Sequence, residues 1–541
     1  MAGVCSVSDD AITMCKRGRC RPCEVAQLVY RYRAVKRPYR FVAIDLGAES
    51  GRVVEGELED GRLDINEVHR FRNEIVNVHG RLYWDLFALF RDVKQGLRLC
   101  GEEGGRRFDS VGIDTWGVDF GLLGADGSLL GMPRAYRDPE FKGAMAKFLK
   151  RVPKQRIYEL TGIQFLTFNT LYQLHVLKLA KSPLLAQADA LLFMPDLFNY
   201  LLTGVRTTEF TIAATSQLYD PAKRAWAEEL FEALGVPARV MQEVVGPGSH
   251  IGKLRKDVCD ETGFPRGSVV TTASHDTAAA VAGIPAEGDD WAFISSGTWS
   301  LVGVETRQSH MGEKALKHNF TNEGGVCGTF RLLKNVTGLW LLRRCVEEWQ
   351  EDGQADYESL LSEAARLPPL DTVIDPDWHM FAGSHPMSFV LPHYCHFTRQ
   401  RTPVMRAQSA RVVLNSLALK YRIVLDQLRT FYKQPINRIH VVGGGVRNRL
   451  LCQLTADATG LPVHAGPVEA TAIGNLMVQA MAAGCVRDLA EIRAVVRRSF
   501  DVQVYEPRPD VGDWWKRAEE RLRVYMPGSK RRWAWQRARE E

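Results

Sequence analysis

The sequence predicts an α/β protein built from a duplicated unit, and three stretches carry that prediction. Residues 41–58 follow the order strand, small polar turn, strand, and residues 291–304 repeat it. Between them, residues 267–283 place a β-branched strand directly before an alanine-rich helix that Gly283 closes. Because 541 residues exceed one ordinary hydrophobic core, two or more domains are expected.

Composition excludes several classes of protein. Hydrophobic residues make up 45% and charged residues 25% of the chain, as in soluble globular proteins. No apolar run approaches the length of a membrane span, and the N-terminus lacks the apolar core of a signal peptide. Eleven scattered cysteines, an odd number, favour reduced thiols. We therefore expect a cytoplasmic protein that does not associate with membranes.

The net charge of +6 is concentrated at the N-terminus. Residues 1–40 carry nine Lys and Arg against three Asp and Glu, so residues 41–541 sum to zero. The body of the chain is thus not expected to bind nucleic acid. Residues 1–40 are predicted to be a disordered, dispensable extension. Their Cys15, Cys20 and Cys23 have a spacing found in iron–sulfur proteins, but no fourth cysteine follows at a suitable distance.

Residues 41–71 contain a candidate phosphate and metal site. They are predicted to form three antiparallel strands, and Asp45 ends the first. The small turn at residues 48–51 could surround a phosphate with backbone N–H groups, and Asp45 could hold Mg²⁺ through water. An ordinary β-hairpin with an Asp turn is the alternative.

A second candidate is Asp276, where the strand at residues 269–272 hands over to its helix. Ligands of α/β sheets gather at the carboxyl ends of strands, near free helix N–H groups. A simple helix cap would explain the aspartate equally well. However, Asp276 lies between the turn at residues 48–51 and the hydroxyl-rich turn at residues 295–298, so a role in phosphate chemistry is favoured.

Glycines mark two further candidates. Trp116 and Gly117 follow the strand at residues 110–115, where glycine would let a ligand approach the backbone and tryptophan would supply an apolar wall. A β-bulge packed by a core tryptophan is the alternative. Gly443, Gly444 and Gly445 follow a buried strand and could lie flat against a planar or phosphate group.

Taken together, these motifs resemble those of the FGGY carbohydrate kinases over about residues 41–505. Within that family, the blocks DTWGVDF, QFLTFNTLYQL and TNEGG are similar to those of the members that phosphorylate L-rhamnulose. The remaining matching stretches are AIDLGAESGR, MPDLFNYLLTG, ASHDTA, SSGTWS, LLKNVTGLWLL, VVGGGVRN and AGPVEATAIGN.

The resemblance implies an actin-like ATPase fold, in which two ribonuclease H-like domains enclose an active-site cleft. The domains would span residues 41–283, for sugar binding and the catalytic base, and residues 284–505, for nucleotide binding. A C-terminal helix and basic tail would occupy residues 506–541. ATP and Mg²⁺ would be required, and no obligate protein partner is expected.

The resemblance also assigns roles to individual residues. Asp276 would be the general base, and Asp45 would lie near Mg²⁺. The sugar would contact Gly117, His275, Asp276, Thr277 and Asn335. The nucleotide would contact Ala48, Glu49, Ser50, Gly51, Arg52, Thr298, Arg343, Gly443, Gly444 and Gly445.

Two regions depart from the family pattern. Arg343 stands where a glutamine that contacts nucleotide is often found, and residues 380–396 match poorly.

The expected reaction is the phosphorylation of L-rhamnulose at its C1 hydroxyl by ATP. Two alternatives remain: a family member acting on fuculose, xylulose or glycerol, and an actin-like or Hsp70-like ATPase without a sugar acceptor.

Overall fold

The structure is a computed structural model that describes residues 37–102, 106–351, 356–383 and 385–526. The architecture below is that of the unit formed by the described residues from Arg40 onward. The cysteines at positions 15, 20 and 23 and the basic tail from Lys530 lie outside the described residues. Within the described part of the chain, no helix is both long and apolar enough to cross a membrane.

Two mixed β-sheets, one in each half of the chain, organise the fold. The strands of the first half are β1 (Tyr39–Leu46), β2 (Ser50–Glu59), β3 (Arg62–Arg72), β4 (Ile75–Val78), β5 (Arg81–Trp84), β6 (Ser110–Thr115), β7 (Phe120–Leu123), β8 (Ala190–Phe193), β9 (Thr208–Glu209), β10 (Tyr219–Asp220), β11 (Ala225–Trp226), β12 (Val244–Val245), β13 (His250–Lys253) and β14 (Ser268–His275). Those of the second half are β15 (Trp291–Ser296), β16 (Trp299–Thr306), β17 (Thr321–Gly324), β18 (Phe330–Thr337), β19 (Arg438–Val442), β20 (Val463–Ala465) and β21 (Gln503–Tyr505).

The first sheet has the strand order β13-β14-β6-β1-β2-β3. Its central strands β1, β6 and β14 run parallel, with Asp45 opposite Asp114 and Thr115 opposite His275. Residues 41–46 and 110–115 are buried throughout, as expected for parallel strands covered on both faces. The carboxyl ends of these strands therefore meet at one edge, where Asp45 and His275 lie.

The second sheet has the order β17-β18-β16-β15-β19-β20-β21. Its opening strand β15 lies between its hairpin partner β16 and the parallel strand β19. In the same way, β1 lies between β2 and β6. The shared arrangement confirms the prediction of a duplicated α/β unit.

Helices cover both sheets and connect their strands. They are α1 (Leu86–Glu102), α2 (Ala144–Phe148), α3 (Lys154–Thr161), α4 (Thr170–Leu179), α5 (Pro183–Gln187), α6 (Met194–Thr203), α7 (Phe210–Ala213), α8 (Glu228–Leu234), α9 (Lys256–Thr262), α10 (Asp276–Ala282), α11 (Glu313–His318), α12 (Trp340–Glu351), α13 (Tyr357–Arg366), α14 (Met387–Phe397), α15 (Arg406–Arg429), α16 (Arg449–Thr459), α17 (Ala470–Ala482), α18 (Leu489–Ser499) and α19 (Gly512–Arg523).

Helices α10 and α17 join the two halves at close range. A Cβ on Gly474 of α17 would lie 1.8 Å from the backbone oxygen of Ala279 on α10, so only glycine fits. Farther along α17, Asn475 donates to the Asp114 carboxylate at 2.6 Å and Gln479 donates to the backbone oxygen of Val42 at 3.0 Å. Side chains from the second half thus satisfy buried polar groups of the first sheet.

Some predicted helix boundaries were wrong. The sequence pattern of residues 337–349 predicts a helix, but Thr337 pairs with Trp299 at the end of β18 and α12 begins at Trp340. The cause is the antiparallel pairing of β18 with β16, which holds Thr337 extended. The pattern of residues 410–432 predicts another helix, which corresponds to α15, but α15 begins earlier, at Arg406, and ends at Arg429. The domain division at residues 283 and 284 stays a prediction.

Candidate active site

A cavity of about 540 Å³ opens where the strand ends of the two sheets face each other. Both halves of the chain contribute to its walls. It collects most of the residues that the sequence assigned to sugar, nucleotide or metal: Asp45, Ala48, Glu49, Ser50, Arg52, Gly117, His275, Asp276, Thr277, Thr298, Asn335, Gly443 and Gly444.

Three predicted residues are absent from the cavity wall. A Cβ on Gly51 would lie 2.3 Å from the ring of Phe71, and one on Gly445 would lie 2.0 Å from Ser296 Oγ. These two glycines therefore allow the turns to pack against the sheets behind them. Arg343, on α12, instead forms an ion pair with the cavity residue Glu49.

Asp45 lies at the carboxyl end of β1 and is only 6% exposed. Arg52, on the next strand, donates to its Oδ2 from Nε at 2.9 Å and from a terminal nitrogen at 2.6 Å. Arg52 also pairs with Glu469, which precedes α17. One guanidinium thus fixes the carboxylate at the end of β1 and ties it to the second half of the chain.

Asp114 lies beside Asp45 in the sheet and was not anticipated as a site residue. It is wholly buried, and burial together with the Asp45 charge raises its pKa well above the usual value. Its Oδ2 accepts a hydrogen bond from Asn475, whereas Oδ1 has no partner among the described residues. Asp114 is therefore favoured as a neutral acid next to an Asp45 that is paired with a cation.

Asp276 is the first residue of α10, and the N-cap position belongs to His275. The Asp276 side chain is 31% exposed and lines the cavity. Oδ1 accepts a hydrogen bond from Thr277 Oγ1 at 3.0 Å and lies 3.4 Å from His275 Nε2. Burial raises the pKa of Asp276, His275 opposes the shift, and Asp45 adds to it. A carboxylate with a raised pKa, facing a cavity, is suited to accept a proton.

The loop that presents Gly117 is strained and firmly held. Val118 has a φ of 69°, a conformation that a β-branched residue rarely adopts. The next residue, Asp119, is wholly buried and accepts four hydrogen bonds, from the indole nitrogens of Trp84 and Trp116, from Gln173 Nε2 and from the backbone nitrogen of Tyr136. Burial raises the pKa of Asp119 to about 6 although these four donors lower it. The loop places Gly117 beside His275, where a Cβ would lie 3.3 Å from Nε2.

Comparison with known proteins now assigns the family. Residues 40–283 match the family model for the N-terminal domain of the FGGY family of carbohydrate kinases, and residues 292–483 match the model for its C-terminal domain. The chain belongs to the FGGY family of carbohydrate kinases. It is therefore an ATP-dependent sugar kinase.

Among FGGY kinases, the chain is similar to several proteins named rhamnulokinase. That of Bacteroides thetaiotaomicron is 45% identical over 88% of this chain and 97% of its own length. The proteins of Pectobacterium carotovorum and Bacillus subtilis are 43% and 40% identical, over 88% and 86% of this chain and 95% of their own lengths.

Solved FGGY kinases share the fold at low sequence identity. A ligand-bound xylulose kinase from Lactobacillus acidophilus superposes with a TM-score of 0.75 at 17% identity, covering 89% of this chain and 96% of the other. A Plasmodium falciparum glycerol kinase with ADP gives 0.69 at 15% identity, over 90% and 98%. The predicted actin-like, two-sheet ATPase fold is thereby confirmed.

Trp116, expected as an apolar wall, lines this kinase's cavity, but its other aromatic residues were not assigned from the sequence. The rings of Tyr136 and Phe168 lie 5.3 Å apart, and Phe168 lies 6.0 Å from Trp299. Beside them, Gln164 Oε1 accepts hydrogen bonds from the backbone nitrogen and Nδ2 of Asn335, at 2.9 and 3.2 Å. Gln164 and Phe168 belong to the QFLTFN block that carried the family resemblance, which was the available signal.

A buried ion pair behind His275 was also missed. Arg331 of β18 has no exposed surface, and Glu323 of β17 is 5% exposed and lines the cavity. Their side chains lie 3.1 Å apart, and an Arg331 terminal nitrogen lies 3.1 Å from His275 Nδ1. Arg331 occupies an ordinary strand position in the sequence, so no pattern could reveal it.

The residues fit a magnesium ion held mainly by water. No group of three or more His, Cys, Asp or Glu side chains is arranged to ligate a metal in the described part of the chain. Mg²⁺ usually takes one or two carboxylates together with waters and substrate phosphates. Asp45 supplies one such carboxylate on the cavity wall, and Asp114 Oδ1 is an unsatisfied oxygen behind it.

Proposed function

We propose that this FGGY kinase transfers the γ-phosphoryl group of ATP to the C1 hydroxyl of L-rhamnulose, giving L-rhamnulose 1-phosphate and ADP. The observation that carries the proposal is the position of Asp276. Its carboxylate faces a cavity whose other walls are two phosphate-type turns and a set of polar and aromatic side chains suited to a sugar. The similarity to proteins named rhamnulokinase supports the choice of sugar.

The reaction requires a base for the attacking hydroxyl. Asp276 would accept the C1 hydroxyl proton as that oxygen bonds to the γ-phosphorus and the bond to the ADP oxygen breaks. Since burial raises its pKa, Asp276 binds that proton more readily than an exposed aspartate would. The same shift means that activity is lost on the acid side as pH falls through the raised pKa, because protonated Asp276 cannot act as the base.

The nucleotide phosphates would lie against the two turns. Ser50 and Thr298, which carry hydroxyl groups, line the cavity, and Gly443 and Gly444 line it without side chains. Donors of this kind stabilise charge that gathers on the transferring phosphoryl oxygens. Mg²⁺, when bound near Asp45, would neutralise part of the phosphate charge.

The sugar would lie between Gly117 and Asn335. Asn335 and Thr277 can hydrogen-bond hydroxyl groups, and Gly117, which has no side chain, lines the cavity beside His275. Trp116, Tyr136, Phe168 and Trp299 also line the cavity, and their apolar surface suits the C6 methyl group of L-rhamnulose. The cavity therefore offers both kinds of contact that this 6-deoxy ketose needs.

The alternatives make different demands on the cavity. Another family member acting on fuculose, xylulose or glycerol would keep Asp276 and change only the sugar wall. An ATPase without a sugar acceptor would have no need of a base beside Gly117 and Asn335. The proposal also includes a cytoplasmic location. ATP and L-rhamnulose would be the small-molecule substrates, and no obligate protein partner is expected.

The decisive experiment combines product analysis with Asp276→Asn. The wild type should release ADP only with L-rhamnulose present and should place the phosphate on C1, as read by phosphorus and proton NMR. Asp276→Asn should fold and bind ATP but lose at least ~10²-fold in kcat, because the amide cannot take the proton.

A matched control is Asp220→Asn, which removes a buried carboxylate away from the cavity wall. It should keep wild-type kcat. If Asp276→Asn retains more than about a tenth of wild-type kcat, the general-base role is wrong.

A further inference from the structure

Arg331 is buried, and each of its three guanidinium nitrogens lies close to a polar group. Its Nε donates to the backbone oxygen of Gly324 at 2.8 Å, one terminal nitrogen lies 3.1 Å from Glu323 Oε2, and the other lies 3.1 Å from His275 Nδ1. A guanidinium stays protonated in proteins and offers only donors. Wherever Arg331 touches His275, it must therefore donate.

That constraint settles which nitrogen of His275 carries the proton. A neutral imidazole has one donor nitrogen and one acceptor nitrogen. Because Arg331 donates to Nδ1, the proton lies on Nε2. Glu323 Oε2 lies 3.4 Å from the same Nδ1 and would favour the opposite tautomer, but its charge is already matched by Arg331, which is closer to the ring nitrogen.

The tautomer in turn organises Asp276. His275 Nε2–H faces Asp276 Oδ1 at 3.4 Å, and Thr277 Oγ1 donates to the same oxygen at 3.0 Å. With the Thr277 hydroxyl donating to Oδ1 and the Nε2 proton near it, Oδ2 is the Asp276 oxygen that accepts no hydrogen bond from a described residue. In the other tautomer, a lone pair on Nε2 would face the carboxylate and repel it.

We propose that Arg331 is a positioning residue that holds His275 as the Nε2–H tautomer and so presents Asp276 Oδ2 to the substrate hydroxyl. The second half of this statement rests on the proposed function, whereas the tautomer does not. The role of Arg331 differs from that of a simple counter-ion for Glu323, because Arg331 acts through the ring of His275.

Several charges surround Arg331, His275 and Asp276. Asp276 faces Asp45 and Asp114 from the first sheet. Arg331 faces Glu323, Glu209 and Glu305 as well as Asp276. Removing Arg331 alone would therefore leave an excess of negative charge, and a variant that also neutralises Glu323 is needed.

The first measurement needs no variant of the ion pair. Nitrogen-15 NMR of histidine-labelled protein at about pH 8, above the usual histidine pKa, should show His275 neutral with the proton on Nε2. His275→Gln assigns the signal. A neutral ring protonated on Nδ1, or an imidazolium at that pH, would overturn the proposal regardless of whether the enzyme phosphorylates any sugar.

The second measurement separates positioning from charge balance. Arg331→Met combined with Glu323→Gln removes both charges, so a counter-ion role predicts activity restored relative to Arg331→Met alone. The proposal predicts that the double variant stays about 10–100-fold low in kcat with an unchanged Kd for ATP, because a misplaced base is costly. Glu323→Gln alone should keep the wild-type tautomer.

The outcomes remain distinguishable. Restored kcat in the double variant contradicts the proposal, and so does a wrong tautomer in the wild type. If Arg331→Met does not fold, the wild-type NMR result still decides. The predicted tautomer in a protein that phosphorylates no sugar would instead contradict the proposed function.

Discussion

At the scale of single residues, three carboxylates within one site differ because their surroundings differ. Asp45 is paired with Arg52, Asp114 is buried beside it and accepts a hydrogen bond from the neutral Asn475, and Asp276 lines the cavity. Burial raises the pKa of both Asp114 and Asp276. Such separation of neighbouring acids by environment is how one site assigns a metal ligand and a base.

Asp45→Asn tests the metal assignment. The amide can still accept a hydrogen bond from Arg52 but lacks the charge that attracts Mg²⁺. We expect the Mg²⁺ concentration for half-maximal activity to rise about tenfold or more and kcat to fall, with L-rhamnulose affinity near normal. Magnesium titrations of turnover, with sugar binding measured by calorimetry, give both values. A lower sugar affinity at unchanged Mg²⁺ dependence would remove Asp45 from the metal site.

At the scale of elements, the loop after β6 shows how the fold prepares a binding surface. Four donors to Asp119 hold the loop, and they stabilise it although Val118 is in a strained conformation. Strain of this kind costs about 1–3 kcal/mol and persists only where other contacts compensate for it. The contacts place Gly117 beside His275, where an added Cβ would lie 3.3 Å from Nε2.

Gly117→Ala should therefore weaken sugar binding selectively. The added Cβ would lie 3.3 Å from both His275 Nε2 and Thr215 Cγ2, and it would occupy space proposed for the sugar. We expect KM for L-rhamnulose to rise roughly tenfold, within the range for one methyl group in a pocket, with KM for ATP unchanged. Gly312→Ala, where a Cβ meets open space, is the control and should leave both constants as in the wild type.

The sequence predicted individual strands and helices better than it predicted contacts between distant segments. Buried parallel strands such as β1 and β6, the start of α10 at Asp276 and the hairpin of β15 and β16 all follow from local patterns. Contacts between distant segments did not. The pairing of Arg331 with His275 and of Asn475 with Asp114 joins residues 56 and 361 positions apart, and no local pattern encodes them.

At the scale of the whole molecule, ion pairs link the two halves across the cavity mouth. Glu49 in the turn after β1 pairs with Arg343 on α12, and Arg52 pairs with Glu469 before α17. The sequence resemblance gave Arg343 to the nucleotide, but the structure turns it toward Glu49 and Glu347. Arg343 is therefore better placed to hold the halves together than to line the cavity.

Arg343→Ala distinguishes these two roles. A partly exposed ion pair contributes about 0.2–1 kcal/mol, so KM for ATP should rise only a few-fold, and the salt dependence of that KM should weaken relative to the wild type. Steady-state kinetics over a range of ionic strengths measure both. A rise well above tenfold, with the salt dependence retained, would restore Arg343 as a direct nucleotide contact.

The central claim is that this cavity is built for L-rhamnulose, and kcat/KM across a panel of acceptors tests it most directly. A site that hydrogen-bonds hydroxyl groups can reject an analogue lacking one by about 10⁴-fold, whereas one methyl group discriminates by only about 10–200-fold. With Asn335 and Thr277 binding hydroxyls and an aromatic wall in the same cavity, L-rhamnulose should give the highest kcat/KM among L-rhamnulose, L-fuculose, D-xylulose and glycerol. An equal or higher kcat/KM for any of the other three would contradict the account.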